Sequence, residues 1–185
     1  MKAFRQGRSS LCSVCALLTA VLATGCLDIT SVEAPPRIAP GERFPVTLHV
    51  MADSDRTACG FLGVLTPSGW SVEAEGYGGY AVGRLEPGRS CFAWLEFNDP
   101  APEGWRWSGF VTDRALTGRG AYHADLCITP HGRGGDVRLV FVVGACEGPA
   151  GSVWKELDRR ELRVQLTGDA GTVRLSWGRL KVLNG

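Results

Sequence analysis

The sequence predicts an all-β sandwich of two packed antiparallel sheets. Apolar residues alternate with polar ones at the two-residue period of a half-buried strand, as in the run 44–50. Turn residues separate such runs at the spacing typical of sandwiches, for about nine or ten strands in all. Helical periodicity is almost absent from the sequence, which excludes the βαβ units of parallel sheets.

The strands predicted in the first half of the chain span 43–50, 60–65, 70–74 and 91–97. Residues 60–65 are apolar on both faces and therefore predict a strand in the interior of a sheet. The segments 66–69 and 86–88 combine Pro with Gly, a composition typical of turns, and each is expected to separate two strands.

The strands predicted in the second half span 105–111, 122–128, 137–145, 162–166 and 172–177. The glycine-rich segment 131–135 is expected to form a flexible hairpin loop between two of them, and the last two are expected to close the domain as a hairpin. Residues 153–162 are the only segment with loosely helical spacing, and at most one short turn of helix is expected there.

Three short motifs resemble the turns of bacterial immunoglobulin-like and fibronectin-like modules. They are APGERFPVTL at 39–48, LTPSGW at 65–70 and LEPGRS at 85–90. The resemblance covers roughly residues 28–145 and implies an immunoglobulin-like sandwich with extra strands after it. Such modules act mostly as spacers, adhesive units or binding platforms and have no fixed active site.

The N-terminal segment predicts export. Lys2, Arg5 and Arg8 precede an apolar run of about a dozen residues, which is typical of a signal peptide and too short to span a membrane. The segment LATGC at 22–26 resembles the lipobox of bacterial lipoproteins. The resemblance implies that residues 1–25 are removed and that Cys26 is acylated. The alternatives are an ordinary signal peptide or an anchor helix, with Cys26 incidental.

We therefore divide the chain into a signal peptide at 1–25, a lipidated extended tether at 26–40 and a single sandwich domain at 41–185. In lipoproteins of Gram-negative bacteria, Asp directly after the acylated cysteine tends to retain the protein in the inner membrane. Leu27 occupies that position here, which favours the outer membrane.

The charge of the chain gives no indication of a nucleic-acid partner. The sequence has 20 basic and 19 acidic residues, and the predicted signal peptide contains only basic ones. The mature part is therefore close to neutral, whereas general nucleic-acid binders are basic.

Four cysteines follow Cys26, and an even number in an exported protein predicts two disulfides. They are Cys59, Cys91, Cys127 and Cys146. Their spacings fit no common zinc pattern. The pairing stays open: Cys59 and Cys91 are expected at the same end of the sandwich, whereas a tight hairpin would separate Cys127 from Cys146.

Two groups have the spacing of metal ligands. His123, Asp125 and Cys127 share one face of a predicted strand, but a cysteine in a disulfide cannot act as a thiolate ligand. Asp53 and Asp55 lie in a loop that lacks the glycine and the distal glutamate of an EF-hand. We therefore expect no metal and no other cofactor.

The tryptophans are the best candidates for ligand recognition. Trp105 and Trp107 share one face of a predicted strand, and exposed aromatic rings can stack on sugars or anchor a protein partner. Large rings also fill sandwich cores, which is the expectation for Trp94. For Trp105 and Trp107 both interpretations stay open.

No motif of a hydrolase nucleophile or of a zinc protease occurs in the sequence. We interpret the chain as a non-catalytic envelope lipoprotein that binds, or helps to assemble, another envelope component. One alternative is a carbohydrate- or peptidoglycan-binding module that uses Trp105 and Trp107. A second alternative is a hydrolase whose site has no recognisable motif.

Overall fold

The computed structural model describes residues 26–35, 37–53, 58–80, 82–116, 119–132, 135–147, 153–167 and 177–179. Ten strands and one helix lie in this part of the chain. They are β1 Cys26–Glu33, β2 Phe44–Asp53, β3 Ala58–Pro67, β4 Ser71–Gly79, β5 Leu85–Pro87, α1 Arg89–Asn98, β6 Trp105–Leu116, β7 Gly120–Thr129, β8 Gly135–Glu147, β9 Val153–Leu166 and β10 Trp177–Arg179.

The strands form two antiparallel sheets, which confirms the predicted all-β sandwich. Sheet A has the order β1-β2-β7-β4, and sheet B has the order β10-β9-β8-β3-β6-β5. Taken along the chain, β1 to β4 and β7 to β9 occupy the positions of strands A to G in an immunoglobulin domain, with ABED in one sheet and GFC in the other. The fold is therefore an immunoglobulin-like sandwich.

The segment β5–α1–β6 is inserted between the strands in positions D and E, and it adds β6 to the free edge of β3. Within it, the strand predicted at 91–97 is wrong because Arg89–Asn98 forms helix α1. The helix contains no β-branched residue, and Cys91 and Leu95, one turn apart, form its buried side. A short apolar run does not by itself distinguish a strand from a buried helix.

Residues 153–162, for which at most one short turn of helix was expected, belong to β9, which pairs with β8 along its whole length. One expectation about the same half of the chain is wrong. The segment 131–135 is not a hairpin loop, because β7 lies in sheet A and β8 in sheet B. Both edges of β7 are occupied by other strands, so β8 cannot pair with it.

The expected closing hairpin is seen in part. Strand β10 pairs antiparallel with β9, with Trp177 opposite Leu162. The residues between these strands, 168–176, lie outside the described part of the chain.

The segment predicted as a tether is largely part of the sandwich. Residues 26–33 form β1, which pairs with β2 from Cys26 opposite Asp53 onwards. The side chains of Leu27, Ile29 and Val32 are buried in the core. Apolar residues in this segment therefore contribute to folding, and Cys26–Glu33 belongs to the sandwich. The predicted signal peptide, residues 1–25, lies outside the described residues.

Strand β1 is also held by side chains of sheet B. The register of β1 shifts between Ile29 and Ser31. The Ile29 N–H donates to Asp158 Oδ2 at 2.8 Å, and Arg160 donates through Nε and Nη2 to the Ile29 carbonyl at 2.9 and 2.8 Å. These charge-assisted hydrogen bonds fix β1 against β9.

The core lies between the inner faces of the two sheets. Alternate residues of β2 and β8 are all buried in one apolar cluster: Val46, Leu48, Val50, Leu139, Phe141 and Val143. No helix in the described part of the chain is long and apolar enough to cross a membrane.

Candidate functional site

Helix α1 covers the outer face of sheet B. Its buried residues Cys91 and Leu95 pack with Phe61, Trp107 and Val142, among others, in a second apolar cluster. Because this cluster lies on the side of sheet B away from sheet A, the helix withdraws that part of the sheet from solvent.

Trp107 belongs to this cluster and is not a surface residue. Its side chain is 1% exposed, and its indole Nε1–H donates to the Asp99 carbonyl at 2.7 Å. The guanidinium of Arg159 lies 5.8 Å from the centroid of the ring, and its Nη2 lies 2.6 Å from Asp99 Oδ2. The interpretation of Trp107 as a solvent-facing ligand platform is therefore wrong.

The other two tryptophans considered above pack against the same cluster. Trp105 is half-buried there, so it does not form an exposed pair with Trp107. Trp94, expected in the sandwich core, lies on α1 instead and makes an edge contact with Phe61, with ring centroids 5.6 Å apart.

The outer face of sheet A has a different composition, with a cluster of histidines and carboxylates. We call it the His–carboxylate face and define it by Glu33, Thr47, His49, His123 and Asp125. In the ladder of β1, β2 and β7, Thr47 lies opposite both Glu33 and Asp125, and His49 lies opposite His123. Directly opposed residues of antiparallel strands project to the same side of the sheet, so this face gathers residues from three strands.

The side chains of this face are close to one another. Thr47 Oγ1–H donates to Asp125 Oδ1 at 2.8 Å. His49 Nε2 lies 3.1 Å from Glu33 Oε1, an ion-pair distance without hydrogen-bond geometry, and His123 Nε2 lies 3.6 Å from Asp125 Oδ2. The two imidazole centroids are 6.4 Å apart. Each histidine therefore has a carboxylate within ion-pairing distance.

A glycine in β4 makes room for one of these rings. Gly78 lies opposite His123 in the β4–β7 ladder. A Cβ at Gly78 would lie 2.6 Å from His123 Cε1 and Nε2, so the imidazole occupies the space that any other side chain would fill. Beside His49, a depression of about 260 Å³ opens between β1, β2 and β7.

A second polar group on this face surrounds Cys127. Arg43 Nη2 lies 3.2 Å from Glu73 Oε2 and 3.1 Å from Glu75 Oε1. The Cys127 S–H donates to Glu75 Oε1 at 3.1 Å. Burial, and next the Glu75 carboxylate, raise the pKa of the Cys127 thiol above its ordinary value. The thiol therefore stays protonated and is a poor nucleophile.

The structure does not show the two predicted disulfides. Cys59 and Cys127 are free thiols in the structure. Cys127 lies on the outer face of sheet A, and Cys91 lies on the side of helix α1 that packs against the outer face of sheet B, whereas a disulfide requires Cα atoms about 5–6 Å apart. Packed sheets are about 10 Å apart, so Cys127 cannot reach the other cysteines.

Cys59 lies opposite Cys146 in the β3–β8 ladder and does not meet Cys91 at the end of the sandwich. The geometry of the four cysteines therefore allows at most one disulfide.

His123, Asp125 and Cys127 come from alternate positions of β7 and share a face, as their spacing predicts. Within the described ranges, no group of three or more His, Cys, Asp or Glu side chains is arranged to hold a metal ion. Asp55 and the side chain of Asp53 lie outside the described residues.

Comparisons with known proteins give only distant similarity. No protein-family model and no curated protein matches the chain. Among solved structures, the chain is similar to AvmM, which catalyses macrocyclisation in alchivemycin A biosynthesis, with a TM-score of 0.48 and 10% identity over 83% of this chain and 94% of that one. It is also similar to the major pilin SpaD from Corynebacterium diphtheriae, with a TM-score of 0.47 and 6% identity over 75% of this chain.

The similarity to SpaD covers only 34% of the pilin's length. A protein from Nocardia farcinica with an immunoglobulin-like fold has a TM-score of 0.37 and 14% identity over 84% of this chain and 99% of that one. These similarities are too distant to support an argument about function.

Proposed function

We propose that this chain is a non-catalytic module of the bacterial envelope that binds another envelope protein through the His–carboxylate face. The observation that carries the proposal is the contrast between the two outer faces of the sandwich. Helix α1 covers the outer face of sheet B. The outer face of sheet A, in contrast, exposes histidines and carboxylates that are not part of the core.

The chemistry of this face suits a protein partner. It combines carboxylates, half-exposed imidazoles and a hydroxyl, which together can accept and donate hydrogen bonds. A partner with exposed Lys or Arg side chains would complement Glu33 and Asp125, and electrostatic complementarity of this kind favours specific recognition.

A carbohydrate partner is less well supported. Stacking on sugars requires exposed aromatic rings, and Trp107, one of the two tryptophans proposed for that purpose, is buried. Among the described residues, the His–carboxylate face has no Trp, Tyr or Phe side chain. The carbohydrate-binding alternative therefore loses its main argument.

We also propose that lipid on Cys26 anchors the module to the membrane after residues 1–25 are removed. The support is the lipobox-like segment at 22–26 and the apolar run before it. Leu27 after the cysteine favours the outer membrane.

Site-specific photocrosslinking in living cells tests the binding face. Benzoylphenylalanine replaces Ser31, an exposed residue opposite His49, and the matched control replaces Glu96 on the exposed side of α1. We expect a discrete adduct with one envelope protein from position 31, lost in a His49→Ala, His123→Ala double variant. Equal labelling from positions 31 and 96, or no adduct from position 31, would contradict the proposal.

A further inference from the structure

We infer that the end of the sandwich that carries Cys26 is a membrane-contacting surface, in which Met51, Tyr80 and Val82 meet the lipid interface. The inference rests on the proposed lipid anchor and deepens it. It states which surface of the domain faces the bilayer and how the module is oriented above the membrane.

The first argument is that no tether separates Cys26 from the domain. Cys26 is already paired with Asp53, and the next residue, Leu27, is buried in the core. Asp158 and Arg160 hold the backbone of Ile29 from the other sheet. Lipid attached to Cys26 would therefore hold this end of the sandwich directly at the bilayer surface.

The second argument is the distribution of exposed apolar residues. Four large apolar side chains are exposed in the described part of the chain: Met51 at 42%, Tyr80 at 63%, Val82 at 72% and Phe97 at 85%. Single exposed apolar residues are common on soluble domains. Here, however, three of the four are concentrated at one end, which is the end of Cys26.

The strand ladders place these residues together. Met51 lies opposite both Asp28 and Ala121, two residues from the partner of Cys26, or about 7 Å along the strand. The Tyr80 N–H donates to the Ala121 carbonyl at 2.9 Å. Met51 and Tyr80 therefore flank the same residue of β7, and Val82 lies two residues further along the chain.

Contacts with two residues of β7 fix the position of the Tyr80 ring. A Cβ at Gly120 would lie 2.6 Å from Tyr80 Cγ, so the ring lies against the backbone of Gly120. It also makes an edge contact with Tyr122, with centroids 6.1 Å apart. Tyrosine is favoured at the membrane interface because its ring is apolar and its hydroxyl remains hydrated.

Photocrosslinking to lipid tests the inference with the acylated, processed protein. Benzoylphenylalanine replaces Val82 in one variant and Phe97 in the control, which is equally apolar and exposed but lies on α1. Each protein is purified from membranes, reconstituted in vesicles of phosphatidylethanolamine and phosphatidylglycerol, irradiated and weighed by mass spectrometry. A variant at Met51 serves as a second reporter.

We expect phospholipid adducts from positions 82 and 51 in severalfold excess over position 97. If the protein is acylated and bound to vesicles but position 82 labels lipid no better than position 97, the inference fails while the anchor stands. Adducts from position 82 with a second copy of the chain, in place of lipid, would also overturn it. An unacylated Cys26 would overturn the anchor and the inference together.

Discussion

Gly63 and Gly109 lie directly opposite each other across β3 and β6 and form the floor on which helix α1 rests. A Cβ at Gly63 would lie 2.6 Å from Leu95 Cδ1, and a Cβ at Gly109 would lie 3.1 Å from the backbone nitrogen of Phe92. A side chain at Gly109 would press on the helix backbone, whereas one at Gly63 would require the Leu95 side chain to shift.

We expect Gly109→Ala to lower the free energy of unfolding by about 1–3 kcal/mol, because the added methyl meets the helix backbone, which cannot rotate away. The control is Gly69→Ala, where the nearest atom, His131 Cβ, would be 4.0 Å from the new Cβ. Urea denaturation of both variants measures the difference. Similar midpoints for the two variants would show that α1 is not packed on Gly109.

Trp107 gives a second test of the same packing. Truncation of a buried tryptophan to alanine costs about 3–5 kcal/mol, and Trp107→Ala also removes the donor to the Asp99 carbonyl. We expect a loss of this size in chemical denaturation and a smaller loss for Trp105→Ala, since Trp105 is only half-buried. A Trp107→Ala variant as stable as the parent would contradict the burial of Trp107 and indicate that the residue lies on the surface.

The alternation of apolar residues predicted the core, whereas helix α1 could not be predicted locally. The burial of Leu48 follows from a two-residue period that is visible in the run 44–50, and that of Phe141 from the continuous apolar run 139–143, which is buried on both faces. The segment 91–97 is rich in apolar residues, and the helix that it forms packs closely on Gly63 and Gly109, which lie in other parts of the chain.

The same limit applies to the candidate site. The alternation of the run 44–50 places His49 on the polar side of a strand, and the spacing of His123, Asp125 and Cys127 predicts that they share a face. The sequence does not show that His49 and His123 are neighbours, because this depends on the pairing of β2 with β7, more than seventy residues apart in the chain. Glu33 was missed because its segment was interpreted as a tether.

Tyr77 makes stability depend on pH in the alkaline range. Its hydroxyl donates to Asp113 Oδ1 at 3.1 Å, and burial, followed by the Asp113 carboxylate, raises the pKa of Tyr77 above its ordinary value of 10.0. As the pH rises above 10.0, the unfolded chain loses this proton first, so the free energy of unfolding falls until the folded tyrosine ionises as well.

We therefore expect Tyr77→Phe to lose less stability than the parent as the pH rises above 10.0, the ordinary pKa of tyrosine. Urea denaturation at several pH values measures this slope, and comparison with the parent cancels the contribution of the cysteines. Identical slopes in the two proteins would contradict the role of Tyr77.

The final prediction concerns the cysteines. Cys59 and Cys146 are directly opposed in the β3–β8 ladder, whereas Cys127 lies on the outer face of the other sheet. In an oxidising envelope, thiol–disulfide exchange can join Cys59 to Cys146. The two thiols lose their protons and two electrons, and a disulfide of an envelope oxidoreductase is reduced to a dithiol. Peptide mapping of exported protein without reductant should find this one cross-link and a Cys127 thiol.

A disulfide of this kind typically stabilises a domain by about 2–4 kcal/mol. Cys59→Ser should therefore lower the unfolding midpoint of the oxidised protein, whereas Cys127→Ser, the control, should leave the cross-link in place. A cross-linked peptide that contains Cys127 would contradict the arrangement of the two sheets, because Cys127 lies on the outer face of sheet A, whereas Cys59 and Cys146 belong to strands of sheet B.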